Sequence, residues 1–179
     1  MFEVKYRIII DENYWRKMSL EQINEEGGIE GFFQINLNSV EYGYYHDGEL
    51  AADEEGFDII STWLSNLLEV CLLADETKYV AIKDTESYNT WLEFISADNS
   101  LLVSVIQSDN FISEYVITKP LESRVYPEWR NITIKREEFF EELINKTNNF
   151  ISDLAQINPF ISKSQRIIKL QSILDKVSQ

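Results

Sequence analysis

The chain has 179 residues, 44% of them hydrophobic and 13% aromatic, with a formal net charge of −15. That length suits one domain with a core large enough to fold without staples, and a lone cysteine, Cys71, excludes an intrachain disulfide. Three prolines and six glycines argue against a disordered or fibrous chain, while the acidic balance opposes nucleic acid and anionic membranes and favours a cationic partner.

The charge is unevenly spread. Residues 1–17 sum to +1, residues 18–118 to −18 and residues 119–179 to +2. Between Met18 and Thr77 lie fourteen acids and no Lys or Arg.

Residues 2–10 alternate Phe2, Val4, Tyr6, Ile8 and Ile10 against Glu3, Lys5 and Arg7. The period of two predicts a half-buried strand and does not fit a signal peptide. No run reaches 18 apolar residues, so no membrane span is expected, and a cytoplasmic protein is the default. Ser19 and Gln22 fit a capping box, which predicts a short helix from Leu20 ended by Gly27 and Gly28; the turn around Tyr14 is a second helical candidate. Residues 31–38 and 40–46 read as two strands around Asn38-Ser39. Phe33, Ile35 and Leu37 then share a face, Tyr42 and Tyr44 share another, and Tyr45 points opposite to them. Residues 47–56 read as an acidic loop.

Phe57, Ile60, Trp63, Leu64, Leu67, Leu68, Cys71 and Leu72 recur at spacings of three and four, predicting an amphipathic helix over 57–74. A meander follows at 79–83, 90–96 and 101–107, with short polar connections that suit antiparallel neighbours, then a fourth run at 113–119 and a short strand at 131–135. Residues 137–156 predict a long helix with Phe139, Phe140, Leu143, Ile144, Phe150, Ile151 and Leu154 as its apolar stripe, broken at Asn158-Pro159. A more basic helix at 167–177 closes the chain. The pattern predicts a single α+β domain over 1–179, with residues 159–179 as a C-terminal helical extension. Its antiparallel sheet of five to seven strands packs against two main helices.

No catalytic or metal motif stands out. From Asp47, Ala51 and Ala52 fall where a calcium loop needs an oxygen donor and a glycine. His46 is the only histidine and has no aligned nucleophile. Cys71, late in its helix beside Glu69, reads as a buried small hydrophobe. Basic residues interleave with aromatics at Arg124, Tyr126, Trp129 and Arg130, but nucleic-acid binding there opposes the net charge. No cofactor, no metal and no enzymatic activity are expected.

The runs GFFQINLN at 31–38, GYYHD at 43–47, the helix from Phe57, KYVAIKD at 78–84, TWLEF at 90–94, LLVSV at 101–105, ITI at 132–134, EEFFEEL at 137–143 and INP at 157–159 resemble the small acidic immunity proteins that accompany bacterial polymorphic toxins. The resemblance covers roughly residues 30–160 in order and composition. It implies a cytoplasmic protein that binds a cognate toxin domain with a basic surface and blocks it; it carries over no functional residue. The expected contact residues, taken from the acidic and aromatic stretches, are Tyr45, His46, Asp47, Glu49, Asp53, Glu54, Glu55, Asp58, Asp84, Glu86 and Tyr88. A small enzyme working through acidic side chains and a structural or adaptor domain are the alternatives; the oligomeric state stays open.

Overall fold

The structure, a computed structural model, describes residues 1–110 and 112–179. It is α+β, with antiparallel strands in two sheets rather than one. In the first, β2 (Glu30–Leu37) lies between β1 (Phe2–Ile8) and an edge formed by β3 (Val40–Tyr44) and β4 (Asp58–Ile59). The second runs β8 (Val116–Ile117), β5 (Tyr79–Lys83), β6 (Thr90–Ala97), β7 (Ser100–Gln107), β9 (Ile132–Lys135). Short helices α1 (Glu12–Trp15) and α2 (Leu20–Glu25) follow β1, and Ser19 and Gln22 close the expected capping box.

Two long helices, α3 (Ile60–Thr77) and α4 (Arg136–Ile157), pack against both sheets, and a third, α5 (Gln165–Val177), packs on those two. Alternation on the strands decides what they meet. Phe2, Val4, Phe33, Ile35 and Leu37 from the first sheet, and Val80, Ile82, Leu92, Phe94, Val103 and Ile134 from the second, join Leu64, Leu67, Leu68, Phe139, Leu143 and Phe150 in one core. Phe139 bridges the sheets, its ring centroid 4.7 Å from Phe2 and 5.7 Å from Phe94. Helix α5 is no appendage: Ile167, Leu170, Ile173 and Leu174 belong to the same core. Asn158, just past α4, donates from Nδ2 to the carbonyls of Trp15 and Met18 and so ties the α1–α2 corner to the helices. No helix among the described residues is long and apolar enough to cross a membrane.

The outer face of the second sheet is also covered. Tyr79, Ala81, Trp91 and Ile106 pack under the crossing chain at Leu121, with Ile112, Ile117 and Tyr126 around them. Glu93 projects into this layer and is 0% exposed. Arg124 Nε lies 3.2 Å from its Oε2 without hydrogen-bond geometry. The Tyr126 hydroxyl donates to Oε1 at 3.2 Å and accepts from Arg124 Nε. Arg130 stacks on Tyr126 with its guanidinium carbon 4.0 Å from the ring centroid. The basic and aromatic run around Arg124 therefore neutralises and roofs a buried carboxylate.

Cys71 is buried on α3, its thiol over the carbonyl of Leu67, and burial pushes its pKa far up. A thiol reagent should label native protein slowly and denatured protein fast. Fast labelling of native protein would mean that α3 opens on its own.

Candidate functional site

The acidic stretches meet along β3. Phe33 pairs with Tyr44 and Gly31 with Asp58, so β3 and β4 form one interrupted edge strand opposite β2. Residues 45–57 leave that edge opposite Phe32 alone and return to it as a thirteen-residue excursion, within the size range of compact Ω-loops. At its exit the backbone crosses so close to β2 that a Cβ on Gly56 would lie 2.4 Å from Gly31 N.

Gly43 decides which way the tyrosines face. Its φ is +91°, and a Cβ there would meet the Phe33 carbonyl oxygen at 2.3 Å, so only glycine fits. The alternation breaks at this point. Tyr42 turns towards Trp63 and Trp129, at centroid distances of 6.3 and 6.2 Å. Tyr44 instead packs on Phe32, with His46 and Phe57 around the same ring. The expectation that Tyr42 and Tyr44 share a face is thus corrected. Phe57 is also displaced: it precedes α3, stays 46% exposed and helps roof the fully buried Phe32.

Within the loop Glu54 is a structural hub. Its carboxylate accepts from His46 Nε2 at 2.7 Å and from the Ala51 amide at 3.0 Å, and these bonds hold its pKa below the usual range. Arg7 Nη1 donates to the carbonyls of His46 and Gly48, pinning the loop to the outer face of the first sheet. Asp47, Glu49, Asp53 and Glu55 point to solvent from this frame. Tyr45 is half-buried, with Lys5 Nζ 5.9 Å from its ring centroid.

On the other side of β3, the Tyr42 hydroxyl donates to Asp84, whose second oxygen accepts the Glu86 amide at 2.8 Å. This locks the turn at 84–89 against the strand. Burial, then the nearby Asp84, raises the Tyr42 pKa, with Glu128 and Asp58 adding to it. Glu86, Glu128 and Tyr88 are exposed, Tyr88 at 71%. Among the described residues Asp47, Glu49, Asp53, Glu55, Glu86 and Glu128 have no ion pair. Glu128, Tyr42 and Trp129 escape a reading of the sequence, because their meeting around Tyr42 depends on pairing between distant strands.

Asp58 differs from the other acids. It is 3% exposed and accepts from Trp63 Nε1 at 2.7 Å. Burial, followed by the charges of Glu86 and Asp84, pushes its pKa from 3.8 up to about 6, against the opposing pull of the Trp63 bond. The folded protein therefore holds this proton more tightly than the unfolded chain does. The stability it contributes is complete below pH 3.8 and is lost as pH rises through about 6. Asp58→Asn keeps an oxygen for Trp63 and removes the charge. It should raise stability at pH 7 by about 1–2 kcal/mol, discounted from the full linkage value for residual solvent screening. Its advantage should vanish near pH 4 in urea titrations. A loss of stability at pH 7 would mean that the carboxylate makes a contact the amide cannot replace.

The site is thus an edge strand with two carboxylate groups beside it, one on the loop 45–57 and one at Asp84, Glu86 and Glu128. Among the described residues no three His, Cys, Asp or Glu side chains converge to hold a metal ion. No family model matches the chain, and neither curated proteins nor solved structures give a match.

Proposed function

We propose that the protein is a stoichiometric inhibitor that lays its β3 face on the basic surface of a cationic protein, in the manner of the toxin immunity proteins it resembles. One observation carries this reading: six carboxylates, at Asp47, Glu49, Asp53, Glu55, Glu86 and Glu128, stand around one exposed edge without ion pairs among the described residues. Charges left uncompensated on a framed surface speed encounter with an oppositely charged protein and penalise wrong partners. Tyr44, Phe57 and Tyr88 supply large exposed rings beside them, the residue types that anchor interfaces. Activity by binding, without turnover, is part of the proposal.

Where a neighbouring reading frame encodes a basic C-terminal domain, that domain is the natural probe. Asp47→Lys, Asp53→Lys and Glu86→Lys combined should leave the melting temperature nearly unchanged, because exposed charges seldom matter by more than about 0.5 kcal/mol each. Glu54 is kept, since it holds the loop. Association at low salt should slow by roughly tenfold or more, and the gap should close as ionic strength rises. An unchanged association rate across the salt series would remove this face from the interface.

A further inference from the structure

A second, unrelated feature lies on the other side of α3, and it does not depend on the inhibitor reading. Between α3, the start of α5 and residues 114–116 is a cleft of about 650 Å³, a volume typical of small-molecule sites. Its α3 wall is polar. Ser61 and Asn66 are 1% and 6% exposed, and among the described residues Ser61 Oγ and Asn66 Nδ2 have no hydrogen-bond partner. Buried polar groups are ordinarily partnered within the protein. Two open ones in a single cleft wall mark hydrogen-bonding capacity that this chain does not itself use. Between them, Ser65 Oγ spends its proton on the Ser61 carbonyl at 2.8 Å and keeps its lone pairs.

The opposite wall carries Arg166 and Lys169, about one turn apart on α5. In a chain with 31 acids, neither forms an ion pair among the described residues. Arg166 lies at the rim, its guanidinium beside Gly28, where an added Cβ would come within 3.2 Å of Nη1. A guanidinium fork beside an ammonium suits a phosphate or carboxylate taken through paired N–H donors. Glu69 and Glu114, also on the lining, repel bare anions but accept hydroxyl protons. The combination disfavours an apolar ligand and a simple ion alike.

We propose that this cleft binds a small hydroxyl-rich molecule carrying one oxyanion, its charged end at Arg166 and Lys169 and its hydroxyls along Ser61, Ser65, Asn66 and Glu69. Sugar phosphates and sugar acids share this chemistry, and the experiment separates them. The full-length ¹⁵N-labelled protein is titrated with glucose 6-phosphate, glucuronate, glucose and inorganic phosphate, following backbone amides by NMR. One of the two sugar anions should give saturable shifts at residues 61–69 and 165–169. Binding should weaken by roughly tenfold or more for glucose, for inorganic phosphate and in Arg166→Met. Arg166→Met and Lys169→Met change exposed side chains, and an unchanged melting temperature verifies that the fold is kept. Absence of saturable shifts in these segments with either sugar anion overturns the proposal. So does affinity that both substitutions leave unaltered, or inorganic phosphate binding as tightly as the sugar anion.

Discussion

Phe139→Ala should cost about 3–5 kcal/mol, the range for removing a fully buried aromatic ring. Phe139 is 0% exposed and touches Phe2 of the first sheet, Phe94 of the second and Phe140 of its own helix. The two sheets share no ladder, so side chains must join them, and Phe139 of α4 touches a ring from each. The vacated space faces rigid rings from three elements, which limits how far the site can collapse. For a chain of this size each kcal/mol corresponds to roughly 2–4 °C, so the melting temperature should fall by roughly 6–20 °C. Such a loss is a large share of the roughly 5–15 kcal/mol that typically holds a domain together. Urea unfolding of the purified variant gives the number directly. A cost under about 1 kcal/mol would mean that the sheets are joined mainly elsewhere.

Removing the cation from the buried pair under the second sheet should be nearly as damaging. Arg124→Met leaves Glu93, at 0% exposure, without a cation, its charge facing the Tyr126 and Tyr79 hydroxyls. Breaking a fully buried pair costs about 3–5 kcal/mol, but the Arg124 side chain is 30% exposed, and solvent screening brings the expectation to about 2–3 kcal/mol. The double variant Arg124→Met with Glu93→Gln should recover most of that loss, because the stranded charge goes with its partner. A double-mutant cycle measures this coupling. If the two single costs simply add, Glu93 draws its compensation from groups other than Arg124.

The sequence displayed the helices and the meander clearly because both are local. The capping box at Ser19, the spacing of Leu64, Leu67, Leu68 and Cys71, and the polar connections that bound the run at 90–96 all found their places. What stayed hidden depends on distant pairing. Phe57 continues the α3 period in phase, yet it is held by Phe32, twenty-five positions earlier, and lies outside the helix. Strand β4 has two residues, too few to show an alternation. Glu93 falls on the strand face that would be wet in a one-layer sheet, and only the crossing chain around Leu121 buries it. The acids of the site were visible as composition. Their division into solvent-facing carboxylates, the Glu54 hub and the interior Asp58 was not, since each role depends on a partner supplied by the fold.

The excursion at residues 45–57 departs and returns at neighbouring rungs of the same edge, beside Phe33 and Gly31. The ladder between β1 and β2 pairs residues 31–37 and does not pass through it. Changes at its solvent-facing positions shift no strand against another, provided that Phe32 keeps a cover and position 56 stays glycine. The loop therefore has the architecture of an interchangeable cassette: its solvent-facing positions, Asp47, Glu49, Asp53 and Glu55 among them, can be rewritten without touching the rest of the fold, while Glu54, Gly56 and Phe57 keep its frame.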